Sequence, residues 1–442
     1  MLIKKFIIYL IPLIVGFFLG AQFLKQEIWP FGRGYYHSFT MIKKYGLDYK
    51  DIITEEQKDR NLRRFYLDLE LKAKDSLREF SAIKEDVIKI SNGYKFEKYL
   101  LEQGIFNLGI SNLNPGSGYL DFYHDDLFLL SSRGILSYSK KISGEKLIFK
   151  QIKNNLDAFL NLNQFLKPGY NSWFSFKDLM IIDNKIFISF TEEISQDCWN
   201  TSVLFSEINY ANIIFTKLFS STDCINHSRK FNASEAGGRI VGYDQNHILL
   251  SVGNYGFNAR SLPQDQDSIN GKILKININD TSYEIISMGH RNPQGLYYDK
   301  QNNFLIETEH GPAGGDEINI IKLSKNLEEN NYGWPLASYG KHYSKDKPIS
   351  KSHKSDGFVE PIKYYIPSIG ISEIANIGGN RYVVGSMRDD KAIRFFEINS
   401  DNIFVEGIRI PLKERVRDIK FKNNKLFLFL EDTASIGIIS LQ

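Results

Sequence analysis

One phrase recurs six times in this chain: an apolar strand, a polar turn rich in Asp, Asn or Gly, then a second apolar strand. It reads Leu120-DFYHDDLFLLSS, Leu179-MIIDNKIFISF, Ile240-VGYDQNHILLSV, Leu296-YYDKQNNFLIET, Ile374-ANIGGNRYVVGS and Ile419-KFKNNKLFLFLED, with starts 59, 61, 56, 78 and 45 residues apart. Each copy predicts a hairpin whose inner strand is nearly all apolar, as when both faces are covered. Hairpins repeating at roughly 50 residues predict propeller blades. The expected fold class is all-β: a six-bladed β-propeller over residues 95–442. A β-sandwich with long insertions leaves the repetition unexplained. In such a ring, chemistry belongs to the irregular segments at one end of the central channel.

Upstream of the repeats the character is different. Lys4 and Lys5 precede an uncharged run at residues 6–24 with one strongly polar member, Gln22. As a helix that run spans about 28 Å, close to the hydrocarbon core of a bilayer. The lysines hold their end in the cytoplasm, so the rest of the chain is exported. A signal anchor at 1–24 is expected; a signal peptide cleaved near Leu19-Gly20-Ala21 is the alternative. Both put the body on the periplasmic or extracellular side. Residues 25–94 read as a linker and helical stalk, because Leu62, Tyr66, Leu69, Ala73, Leu77 and Phe80 recur at steps of 4, 3, 4, 4 and 3. That helix packs on the main domain or serves as a membrane-proximal spacer.

Composition removes several classes. The chain has 442 residues, 24% charged and 14% aromatic, too apolar for a disordered protein. A net charge of +3 carries no footprint for nucleic acid. Two cysteines, Cys198 and Cys224, exclude Cys-rich zinc sites and leave open a disulfide or two free thiols. His124, His247 and His353 fall in turns or polar segments and read as solvated. No P-loop, GxSxG or HExxH is present.

The most informative stretch is residues 289–340. Gly289-HRNPQGL leads into the fourth repeat, which exits into Glu309-HGPAGGDEIN, followed by Asn331-YGWP. Arg291 offers a planar fork of donors for a carboxylate or quinone oxygen, with the Asn292 amide beside it. The Gly311–Gly315 loop can bring backbone carbonyls close to a ligand. Those carbonyls, with the carboxylates of Asp316 and Glu317, are hard ligands suited to Ca²⁺. His310 could stack on a ring or hydrogen-bond to it.

These strings closely resemble the soluble glucose/sorbosone and aldose sugar dehydrogenases that depend on pyrroloquinoline quinone (PQQ). The resemblance implies a six-bladed propeller that binds PQQ and Ca²⁺ and oxidises a sugar by hydride transfer to the quinone. Arg291 and Asn292 fall on the family's cofactor-contacting pair. Gly311 and Pro312 match the residues whose carbonyls hold the cofactor's Ca²⁺, with Asp316 nearby. Glu317 and Tyr332 resemble ligands of a second, structural calcium. Arg388, in Ser386-Met387-Arg388, stands where a cationic cofactor contact is expected. Arg415 and Arg417 keep the Arg-x-Arg-Asp pattern before the last repeat. An anionic cofactor gives arginines converging on one channel mouth a reason not to repel each other.

The chain departs from the family where a histidine base is expected. In Ser234-EAGGRIV the aligned position is Glu235, and Asn254 stands where an aspartate usually orients that base. Three readings stay open: Glu235 as the base, His227 folding in from upstream, or a catalytically silent propeller that binds a glycan, a protein or an anionic ligand. The expected partners are a sugar or related alcohol, the membrane, and a respiratory electron acceptor.

Overall fold

The computed structural model describes residues 74, 79–85, 88–90, 93–101, 118–165, 174–227, 231–256, 261–323, 326–341, 352–388 and 390–441. All of them lie in one compact unit, Tyr66–Gln442. The expected membrane segment and most of the expected stalk helix lie outside these residues. Phe80, the last member of the helical pattern, sits in the strand Glu79–Lys84. Among the described residues no helix is long and apolar enough to cross a membrane.

The architecture is all-β and propeller-like. Each of the six repeats opens an antiparallel sheet: four strands for the third, fourth and fifth repeats, five for the second, with the first and sixth joined into one ten-stranded sheet. The opening strands are Gly118–Tyr123, Phe176–Ile182, Gly237–Gly242, Pro293–Asp299, Ile371–Asn376 and Val416–Lys422. They touch one another in cyclic order, the sixth returning to the first. The turns take the left-handed backbone that Asp and Asn tolerate: Asp183, Asn303, Asn423 and Asn424 all have positive φ.

The two strands of each hairpin have different duties. The second strand is the one buried throughout, as in Leu127, Phe128, Leu129 and Leu130, all fully covered. The first strand faces the channel and is not wholly apolar. It carries Asp121, Asp178, Arg239, Glu373 and Asp418. Apolar residues from neighbouring sheets fill the spaces between, including Met180, Phe187 and Val203 against Ile240, Ile248 and Leu250.

The ring is closed by residues distant in sequence. Lys95–Leu101 supplies the fourth strand of the sixth sheet, pairing with Ser435–Ser440 in the register Ser435↔Leu100. Glu79–Lys84 then pairs with Lys95–Leu101 on one side and with Lys146–Gln151 of the first sheet on the other. This strand leaves fewer unpaired edges. Cys198 and Cys224 form a disulfide with S–S 2.07 Å, which decides between the two thiol readings. It joins the start of the strand Cys198–Glu207 to the loop before Ile225–Asn226.

Candidate active site

A cavity of about 700 Å³ opens at one end of the channel and is lined from all six sheets. That volume lies in the range of small-molecule sites. Ten residues singled out from the sequence line it: Glu235, Arg291, Asn292, His310, Gly311, Pro312, Asp316, Arg388, Arg415 and Arg417. Glu317 and Tyr332, assigned to a separate site, do not. His227 is packed against Phe174 and Phe231 and is not among the lining residues.

Arg291 is the hub of one wall. Its backbone N–H donates to Glu309 at 2.5 Å, and its Nη2 donates to Glu235 Oε1 at 2.6 Å. Nη1 donates to the carbonyls of His310 and Gly311 at 2.9 and 3.0 Å. The guanidinium also lies 5.5 Å from the Trp334 ring centre. Glu235 stands at the end of a short 3-10 turn, Ala233–Glu235, capped by Asn232. The Asn232 amide reaches back to Glu235 Oε1 at 2.9 Å, so two donors orient this carboxylate.

Asn292 is buried between sheets. It donates to the Ser234 carbonyl and accepts from Gly237 N–H and the Gln294 amide. Asn254 accepts from Gly256 N–H, and its own N–H donates to the Arg291 carbonyl at 2.9 Å. It therefore braces the Arg291 backbone.

The Gly311–Gly315 loop folds back so tightly that a Cβ on Gly311 would meet the Gly315 carbonyl oxygen at 2.0 Å. Asp316 pins this loop. One oxygen accepts from Gly311 N–H and the other from Gly370 and Ile371 N–H across to the next sheet. Burial pulls the His310 imidazole down to about 4, with Arg291 and Arg417 adding repulsion and Asp316 opposing it. His310 is therefore neutral at physiological pH.

The adjoining wall comes from the fifth and sixth sheets. Arg415 and Arg417 share one buried carboxylate, Glu431, at 2.9 and 2.5 Å. Arg417 also donates to Gln294 Oε1 at 3.0 Å, and Arg415 to the Met387 carbonyl at 2.8 Å. Arg388 is exposed at the rim.

A sequence profile for Glucose / Sorbosone dehydrogenase matches residues 181–440. The chain belongs to this family. It is 31% identical over 221 residues to the aldose sugar dehydrogenase YliI of Escherichia coli, an alignment covering 45% of this chain and 57% of that protein. It is 31% identical over 134 residues to quinoprotein glucose dehydrogenase B of Acinetobacter calcoaceticus, covering 24% of this chain and 27% of that one. The chain thus spans about half or less of the length of these curated relatives. The crystal structure of the soluble aldose sugar dehydrogenase from E. coli in its apo form superposes with a TM-score of 0.60 at 22% identity, covering 75% of this chain and 97% of that one. That likeness establishes a shared fold with a divergent family member.

Arg239, itself a lining residue of the cavity, centres a cluster that the sequence analysis passed over. Arg239 Nη1 contacts Asp178, Glu373 and Asp418 at 2.7, 2.7 and 2.9 Å, and Nε donates to the Gln294 carbonyl. All six sheets meet on this one guanidinium, the first through the Tyr119 ring, whose centre lies 5.7 Å away. The three carboxylates could hold a metal by proximity alone, but the guanidinium already fills their centre. The signal was readable: the residues just before the repeat starts are Tyr119, Asp178, Arg239, Gly295, Glu373 and Asp418. Four charged residues at one phase of a repeat mark a shared axis.

A second buried group combines His290, Glu307 and Glu309, whose ligand atoms lie within 4.8 Å of one another. The Asn319 amide donates to Glu307 and Glu309 at 3.0 and 3.3 Å, and Ser287 holds His290 Nε2 at 2.8 Å. Burial first, then the Glu309 charge, pushes Glu307 and Glu317 well above the usual carboxylate range. Tyr332 stacks on His290 with ring centres 4.8 Å apart, and its hydroxyl donates to the Ile320 carbonyl. His353 differs from expectation: it is fully buried, with Glu317 at 3.7 Å and Glu360 at 3.8 Å. The Tyr339 ring covers it, which the local polar sequence does not betray. His124 remains at a turn position, and His247 begins the strand His247–Val252, paired with Asp244.

Proposed function

We propose that this protein is a PQQ- and calcium-dependent sugar dehydrogenase-type quinoprotein that oxidises a sugar or related alcohol. The observation that carries this reading is the convergence of Arg291, Asn292, Arg388, Arg415, Arg417 and Glu235 on one cavity. The donor set fits an acceptor with three carboxylates: apart from Arg239, which has its own acids, seven lysine and arginine side chains line the cavity against Glu235 and Asp316, with Glu431 behind Arg415 and Arg417 and Asp432 behind Lys391. When bound, PQQ supplies a two-electron acceptor and Ca²⁺ a Lewis acid.

The chain's own residues do the rest. Arg388, Arg415 and Arg417 bind the cofactor's carboxylates, Glu431 holding two of these side chains in place. Gly311 and Pro312 offer carbonyls to the cofactor's calcium. Glu235 takes the proton from the hydroxyl of the carbon being oxidised, aimed by Asn232 and Arg291. A neutral His310 accepts or donates a hydrogen bond without adding charge. A structural calcium belongs with Glu317 and the adjoining Glu307, Glu309 and His290, whose carboxylates need a cation.

The uncharged run at residues 6–24 and the disulfide both suit a membrane-anchored protein with its propeller outside the cytoplasm. In this arrangement 1–24 anchors, the chain up to about residue 78 spaces, and the six-bladed domain, which takes in the strand Glu79–Lys84, delivers electrons to a respiratory acceptor. A silent, ligand-binding propeller is favoured by one feature, the Glu235–Arg291 pair, because a carboxylate oxygen already engaged by a guanidinium at 2.6 Å is less available to a substrate hydroxyl.

Titrating the purified protein with PQQ and Ca²⁺ and following absorbance, then adding aldoses with an artificial dye, separates the two. Calcium-dependent binding with reduction by sugar is expected. Glu235→Gln should lower turnover by roughly 10²-fold or more while PQQ binding persists. Binding without reduction by any sugar leaves the silent propeller standing.

A further inference from the structure

Arg291 is gripped from two directions through its own backbone. Its carbonyl accepts from Asn254 N–H at 2.9 Å, and its N–H donates to Glu309 Oε2 at 2.5 Å. Glu309 ends the strand Phe304–Glu309 and pairs there with Glu317 of the strand Asp316–Lys322. The next residue adds a second tie, from His310 N–H to the Asn292 carbonyl at 3.1 Å. The backbone that carries the guanidinium therefore hangs on the end of this strand, and on one carboxylate in particular.

The other oxygen of that carboxylate belongs to the buried cluster around His290. Glu309 Oε1 accepts from the Asn319 amide at 3.3 Å and lies 3.6 Å from His290 Nδ1. Glu307 Oε2 lies 3.8 Å from the same nitrogen. Those two separations are too long for hydrogen bonds but short enough for ligands that share one ion. His290 Nδ1, Glu307 Oε1 and Asn319 Oδ1 have no hydrogen-bond partner, and all three residues are fully covered. Buried polar atoms left unpaired are costly, and a cation satisfies the two oxygens. Without it, Glu309 and its neighbours Glu307 and Glu317 repel one another. Glu309 thus has one oxygen for each site: Oε1 for the cluster, Oε2 for the backbone of a cofactor-wall arginine. An ion that fixes the first oxygen fixes the second.

We infer that Glu309 is a positioning residue that couples the buried cluster to the cavity: a cation bound beside His290 steadies the Arg291 backbone and so tightens the hold on an anionic ligand. Only the identity of that ligand rests on the quinoprotein reading; the coupling does not.

Full-length protein in detergent, free of cofactor, is compared in chelator and in Ca²⁺ by amide hydrogen exchange and mass spectrometry. Calcium should slow exchange of the segment that carries Arg291 more than that of the segments around Asp178 and Asp418, which a general stabilisation would slow as well. Glu307→Gln removes one cluster ligand without touching Arg291 and should lose this response. Glu309→Gln keeps an oxygen for the Arg291 N–H and should lose it too, whereas a Glu309 that served only to satisfy that N–H would leave it in place. Absorbance titration with PQQ in excess Ca²⁺ reads the coupling from the cavity. Both variants should bind PQQ at least about fivefold more weakly than the parent, although the Gly311 and Pro312 carbonyls are unchanged. Far-ultraviolet circular dichroism shows whether each variant is folded.

The coupling is overturned if calcium leaves exchange at Arg291 unchanged, or if the response survives in either folded variant. It is also overturned if PQQ binds equally tightly to the parent and to Glu307→Gln. Should PQQ bind to none of the three proteins while calcium still slows exchange at Arg291 and Glu307→Gln loses that effect, the coupling stands and the quinoprotein reading falls. PQQ binding with an Arg291 indifferent to calcium keeps the reading and removes the coupling.

Discussion

Around Arg239 the carboxylates of Asp178, Glu373 and Asp418 converge from three sheets, whereas beside Tyr332 those of Glu307 and Glu309 converge with the His290 ring. Both groups are buried, and both bring three ligand-type side chains within metal-binding distance. The first is compensated by the chain itself: a guanidinium touches all three carboxylates, the Lys420 ammonium acts on the same three, and burial pushes Glu373 up to about 8. The charges acting on Glu307 are other carboxylates, and only the Asn319 amide opposes them. Proximity of acids is thus not a metal site; what matters is whether the chain has already supplied the cation. The first cluster is a joint that holds sheets together. The second leaves its charge to be removed by protonation or by an ion from outside.

Removing the internal cation should have the largest effect. Arg239→Met strands three buried acids and should cost about 3–5 kcal/mol in chemical denaturation, or prevent folding. Combining it with Asp178→Asn, Glu373→Gln and Asp418→Asn should recover much of that loss, since the penalty comes from unpaired charge. If the single change is mild and the quadruple one severe, Arg239 is not what neutralises the cluster.

Of these two clusters, calcium should act on the second. At about a hundredfold excess over its dissociation constant, a bound ion stabilises by about 2.7 kcal/mol, read as a fall in Tm when a chelator is added. Glu307→Gln should reverse the order. In chelator it removes buried repulsion and should melt higher by roughly 2–4 °C, the shift of about 1 kcal/mol in a domain this large. In calcium it should melt lower than the parent. Glu373→Gln should leave the calcium response intact. A chelator response that changes equally in both variants would erase the distinction between the clusters.

How far the sequence carried this picture depended on whether a feature was local. Every repeat start, from Leu120 to Ile419, lies in the opening strand of a sheet, because a hairpin is written in adjacent residues. The cavity walls were readable where a motif was dense, as with Arg291, Asn292 and the Gly311–Gly315 loop. The Arg239 joint was missed although its residues fall at one phase of the repeat, because each seems ordinary within its own copy. The strand Glu79–Lys84 and the closing strand Lys95–Leu101 were hidden for another reason. Their partners lie at Lys146–Gln151 and Ser435–Ser440, so no local pattern marks them. His353 was misjudged because its burial comes from Tyr339 and two distant glutamates.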